Sequence, residues 1–256
     1  MLVKPFYAMT ARQGISTVVS GHPLLVPNTL NLYGNPISQP TRAVLMLLRE
    51  AKIDHVFHTL NNHAGEHRKP EYKLLLPAGL LPSLVNEKGV TLGEGAAILQ
   101  YLVDRYNLSE WTSKDPMTRA HINFWLHWNH TNTRNGTMQV LVPEVLYPPP
   151  ADKAAAILAK GQKTHTRTCT FLTKHFHESG NKFLVGNTPT IADLMIVTEL
   201  DQLSSRGFNI FDYTTFPRIE QYIADVKEKV SSYEMTFLPV VEMKAEIDRV
   251  KTSDVN

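Results

Sequence analysis

From residue 28 onward, apolar and polar positions follow first a mixture of short and long periods and then a long period alone. Leu30 to Tyr33 is a short apolar run and His55 to Leu60 alternates, so both read as strands. Between them, Ala43 to Leu48 with Ala51 repeat apolar residues three and four apart, the spacing of a helix with one buried face. Strand, helix and strand make a βαβ unit, which predicts parallel strands joined by a right-handed crossover. A polar loop, Asn61 to Lys69, leads to a short helix near Pro70. Two short runs, Gly79 to Val85 and Val90 to Leu92, flank the polar turn Asn86 to Gly89 and predict an antiparallel hairpin. An amphipathic helix from Glu94 to Leu102 follows.

Beyond Tyr106 the short period disappears. The polar stretch 107–115 reads as a linker, and Pro116 fits the first turn of a long helix reaching about Val142. Pro148 to Pro150 stop that helix, Ala151 to His177 start another, and two more are expected over Pro217 to Val230 and Leu238 to Val250. Thr190 and Asp193 precede the apolar run Leu194 to Val197 with the spacing of a capping box, in which the acid reaches back to the threonine's backbone. The expected organisation is an N-terminal extension over 1–27, a mixed α/β domain over 28–106, the linker, and an all-helical domain over 116–256.

Charge and composition narrow the partners. A net charge of +2 with no dense Lys/Arg block argues against nucleic acid and membrane surfaces. No apolar run reaches the length of a membrane span. The single cysteine, Cys169, lies in a helical apolar pattern and reads as a buried thiol; it excludes an intrachain disulfide and suits a reducing compartment. Residues 1–27 carry Lys4 and Arg12 and no acid, which fits either a plain arm, open to a larger assembly, or a mitochondrial targeting segment. The location expected from these signals is cytoplasmic, with mitochondrial as the alternative.

Ser38 stands where the first strand turns into the first helix. Its hydroxyl has two ordinary uses: capping the helix, or facing a ligand drawn to the helix's positive end. Pro82 precedes a strand and by itself reads as an ordinary trans proline at a strand entrance.

The order β-α-β-α-β-β-α with a proline before the third strand resembles a thioredoxin-like domain. The runs Ser38-Gln39-Pro40-Thr41-Arg42-Ala43-Val44, Leu81-Pro82-Ser83-Leu84 and Leu92-Gly93-Glu94-Gly95-Ala96-Ala97-Ile98-Leu99-Gln100-Tyr101-Leu102 look like the N-terminal half of a glutathione transferase, closest to the theta class. The resemblance covers residues 28 to about 235. It implies an α/β thioredoxin-like N-terminal domain followed by an all-α C-terminal domain. It also implies an enzyme that joins glutathione, as co-substrate and without a metal, to a small hydrophobic electrophile, as a homodimer. By the same resemblance Ser38 stabilises the thiolate. Pro82 is cis and turns the Leu81 backbone towards the tripeptide, Glu94 and Gly95 hold the γ-glutamyl end, and His67 and Arg68 meet the glycine end. The stretch Trp125 to Arg134 resembles the theta-class run that lines the electrophile pocket, with Trp128, Thr131 and Arg134 as its candidates and Arg134 as the cation for a leaving group or for the glutathione end. The aromatics of that helix are equally suited to a core.

Two positions depart from the theta pattern: Gly95 replaces a serine and Leu80 a basic residue. The alternative expectation is therefore a protein of this fold that binds or assembles without chemistry. The sequence His63-Ala64-Gly65-Glu66-His67 has the letters of an inverted zinc-peptidase motif, but a glycine inside a polar loop does not support the helix that motif needs. No metal site is expected.

Overall fold

A computed structural model describes residues 11–13, 16–18 and 24–253. The chain forms two compact units, one ending at Arg105 and the other starting at Tyr106. In the first, strands β1 (Ala11–Gln13) and β2 (Ser16–Val18) pair antiparallel by themselves. The reading of residues 1–27 as arm or targeting segment falls mostly outside the described residues. From Leu24 onward that stretch is fastened to the domain. The Tyr33 hydroxyl donates to the Leu24 carbonyl. The side chain of buried Asn31 accepts the Val26 N–H at 3.0 Å and donates to the Val26 and Thr29 carbonyls at 2.9 and 2.8 Å.

The main sheet has the order β4-β3-β5-β6, built from β3 (Asn31–Gly34), β4 (Val56–Thr59), β5 (Ser83–Val85) and β6 (Thr91–Gly93). β3 and β4 are parallel, as the βαβ reading requires, with Leu32 opposite Phe57. β5 runs antiparallel to both β3 and β6, and Tyr33, Ser83 and Gly93 lie in one line across the three strands. Helix α1 (Gln39–Glu50) buries Ala43 to Leu48 without a break and packs against α3 (Gly95–Arg105). The short α2 (Pro70–Leu75) sets Tyr72 and Leu75 against Tyr33 and Val85. Gly34 allows the sheet to meet α1: a Cβ there would lie 2.4 Å from the Thr41 side chain. This is the thioredoxin-like architecture expected from the order of elements.

The second unit is helical: α4 (Pro116–Thr131), α5 (Thr133–Leu141), α6 (Ala151–Ser179), α7 (Ile191–Leu203), α8 (Pro217–Lys229) and α9 (Tyr233–Ser253). Helix α7 is buried along its whole length and packs on α4, α5 and α8. Its N-terminus carries the complete capping box of Thr190 and Asp193.

Two elements differ from the periodicity reading. The single helix expected over 116–142 is two, separated at Asn132, whose backbone departs from ideal helical values at φ −118° and ψ −79°. Asn132 turns its amide back onto the Trp128 carbonyl at 3.0 Å, a local bond that competes with helix continuation. The last helix starts at Tyr233, five residues earlier than its apolar period suggests, because Tyr233 and Phe237 are buried and the Tyr233 hydroxyl donates to Asp201 at 2.8 Å.

Candidate functional site

The register across Tyr33, Ser83 and Gly93 gathers four loops at one end of the sheet. The C-terminus of β3 leads to Ser38, the entrance of β5 carries Leu81 and Pro82, and the C-terminus of β6 leads to Glu94 and Gly95. The C-terminus of β4, level with Gly34, leads to the loop holding His67 and Arg68, and Asn35 donates across to Asn62 in that loop. Loops at the carboxyl ends of parallel strands are where open α/β sheets place ligands.

Ser38 takes the N-cap position of α1 with extended backbone, yet its hydroxyl makes no capping bond. The turn is held without it: the Asn35 side chain accepts the Ile37 N–H at 2.9 Å, and the Ser38 N–H donates to the Asn35 carbonyl at 2.9 Å. Of the two readings of this hydroxyl, capping is thus not the one adopted. No acidic residue occupies the first turn of α1, so nothing there opposes an anion at the helix's positive end.

The Leu81–Pro82 peptide is cis, and the β5 ladder starts only at Ser83, leaving the half-buried Leu81 outside it. Leu80 is 49% exposed. Glu94 is exposed and lies in the left-handed region, at φ 68°, where a side chain other than glycine's is strained. Gly95 is buried at the first turn of α3 and offers backbone N–H only.

His67 is half-buried, and burial, followed by the nearby Arg68 and Lys73 charges, pushes its pKa below the usual histidine value. Its ring is therefore neutral at pH 7 and can donate through one nitrogen only. Its Nδ1 is buried with no hydrogen-bond partner among the described residues. Arg68 is exposed. Gly65, at φ 71°, breaks the His63-to-His67 stretch into a turn and a three-residue 3₁₀ helix. Among the described residues no group of three His, Cys, Asp or Glu could hold a metal ion.

The helical unit treats its three candidates differently. Trp128 is half-buried and stacks on Phe171, with ring centroids 5.2 Å apart, and meets Trp125 edge-on. Thr131 is exposed, and its hydroxyl accepts from Asn132 at 3.0 Å. Arg134 is paired across the unit: its Nη1 lies 2.8 Å from Oε1 of fully buried Glu199, while its side chain stays 31% exposed. A cleft of about 910 Å³ opens on this unit beside Phe211, Tyr213, Phe216 and Ile223, and none of the three candidates lines it. Asn31 and Tyr72, which fasten segments around the site, were not singled out by sequence reading, because a lone Asn in a strand and a lone Tyr in a short helix carry no pattern.

Comparison with known proteins identifies this combination of sheet, loops and helical unit. The family models for the glutathione S-transferase N-terminal and C-terminal domains match residues 32–110 and 136–234. Glutathione S-transferase T1 of Arabidopsis thaliana is 32% identical over 208 residues, covering 78% of this chain and 83% of that protein. The chain belongs to the glutathione S-transferase family. Glutathione S-transferase T3 of the same plant is 36% identical over 183 residues, 68% of this chain, but the chain spans only 30% of that protein's length. The solved structure of human glutathione transferase theta-2, in complex with glutathione and an unknown ligand, superposes with a TM-score of 0.76 at 24% identity, over 86% of this chain and 90% of that one. Within the family the chain is theta-like.

Proposed function

We propose that the protein conjugates glutathione to a hydrophobic electrophile through a thiolate stabilised by Ser38. The observation that carries the reading is the unspent Ser38 hydroxyl at the head of α1, on the same end of the sheet as Leu81, Glu94 and His67. The thiol gives its proton to solvent, and the Ser38 O–H donates to the resulting sulfur anion beside the positive end of α1. Each pKa unit removed from the thiol takes about 1.4 kcal/mol of preferential anion stabilisation. The thiolate then attacks the electrophilic carbon, a thioether forms, and the leaving group departs with the bonding electron pair. The Leu81 backbone pairs with the tripeptide as an added strand would. The Glu94 carboxylate meets the α-ammonium, the free N–H groups at the start of α3, that of Gly95 among them, meet the γ-glutamyl carboxylate, and His67 and Arg68 meet the glycine end. The electrophile lies against apolar surface of the helical unit, with Trp128, Thr131 and Arg134 as its candidates, and the active form is a homodimer.

A second reading, a binding or assembly subunit without chemistry, draws on exposed Leu80 and on Gly95, which leave the site one cation and one hydroxyl short of the theta pattern. Titration calorimetry separates the two. Saturable heat with glutathione at millimolar concentration supports the enzyme; no heat at that concentration removes it and leaves the binding subunit.

A further inference from the structure

We infer that Tyr72 is a positioning residue for the Leu81 backbone and hence for the peptide portion of glutathione, an inference that rests on the glutathione reading above. Tyr72 is buried in α2, and its hydroxyl donates to the Leu80 carbonyl at 2.7 Å. A phenol has one proton, so the second bond at this oxygen, with buried Ser83, has the Ser83 hydroxyl as donor. The result is a one-way chain, Ser83 to Tyr72 to Leu80, that fastens both neighbours of the Leu81–Pro82 pair. The ring itself is fixed: it meets Tyr33 edge-on at 6.1 Å and belongs to the cluster with Leu75, Leu76 and Val85. Leu81, which makes no ladder contact, is held by these two anchored flanks and by its side chain, which packs against the same cluster. Burial pushes the Tyr72 hydroxyl up to about 12, so the clamp stays protonated throughout the neutral range.

The bonds can be removed together or in part. Tyr72→Phe keeps the ring but removes both bonds, freeing the Leu80 carbonyl and the Ser83 hydroxyl, whereas Ser83→Ala removes one and keeps the Tyr72–Leu80 bond. With the full chain and glutathione as the probe, Tyr72→Phe should weaken binding and raise KM for glutathione about tenfold while kcat at saturation stays within about twofold, the signature of lost ground-state binding. Ser83→Ala should leave both constants within about twofold of wild type, because the β3–β5 ladder still holds residue 83 through its backbone. Hydrogen exchange of residues 79–83 without ligand should quicken in Tyr72→Phe and not in Ser83→Ala, which shows the loosened loop directly. Wild-type affinity in Tyr72→Phe overturns the inference alone, as does an equal loss in Ser83→Ala. No heat with the wild type overturns the glutathione reading and this inference with it.

Discussion

Replacing Asp193 by Ala tests how the helical unit is held together. Spacing alone suggests a lost helix cap, about 1 kcal/mol. The structure raises that figure, because four donors converge on this one fully buried carboxylate. Oδ1 accepts the Leu184 N–H and the Tyr222 hydroxyl, each at 3.0 Å; Oδ2 accepts the Thr190 N–H at 2.7 Å and the Thr190 hydroxyl at 3.0 Å. Each buried donor left without an acceptor costs about 1–3 kcal/mol. Against this, burial raises the Asp193 pKa more than its four donors lower it, so deleting the group also removes a desolvation cost, and the lower end of the range applies. One kcal/mol for each of the four partners gives about 4 kcal/mol, which in a chain of this size lowers Tm by about 10 °C. Tyr222→Phe deletes one donor and one bond and should cost about 1 kcal/mol. The assay is thermal and urea denaturation followed by circular dichroism. A Tm within about 3 °C of wild type for Asp193→Ala would refute the reasoning, since a bare cap would then account for everything.

Glu94→Gly should separate stability from function. Glycine accepts the left-handed backbone of this position, so Tm holds or rises. Loss of a charge-assisted contact should weaken glutathione binding about tenfold or more by calorimetry, and unchanged affinity would remove Glu94 from the site. His165, fully buried, is pushed down to about 3 by burial, while an unfolded histidine titrates near 6.5. The unfolded chain therefore takes up a proton that the folded one refuses. The stability this neutral ring provides is complete above pH 6.5 and declines by about 1.4 kcal/mol per unit as pH falls towards 3. His165→Leu should flatten the fall in urea-denaturation free energy between pH 6.5 and 4.5 relative to wild type. Parallel pH profiles for the two proteins would show that this histidine is not the source.

Both domains were legible from the sequence because their core elements carry apolar runs or alternations that burial requires: Ala43 to Leu48 for α1 and Leu194 to Val197 for α7, both buried without a break, and the alternating His55 to Leu60 for β4. Bonds that obey no period stayed invisible. The break at Asn132 depends on one amide turning onto one carbonyl, and the early start of α9 depends on Tyr233 reaching Asp201 from 32 residues away. The partner of Arg134 was equally hidden, since Glu199 lies 65 residues downstream. Within the candidate site, identities could be read but their gathering could not: only the register of Tyr33, Ser83 and Gly93 shows that Ser38, Leu81 and Glu94 share one end of the sheet. The sequence left Ser38 undecided between cap and ligand contact; Asn35, by holding the turn itself, frees the hydroxyl.

The central claim is that this hydroxyl lowers the pKa of a bound thiol, and ultraviolet titration of the glutathione thiolate on the protein measures it directly. On the wild-type chain the thiol should ionise at least one unit below its ordinary value of about 8.5. In Ser38→Ala, with glutathione still bound, it should return towards that value. The same thiol pKa in both proteins would contradict the account.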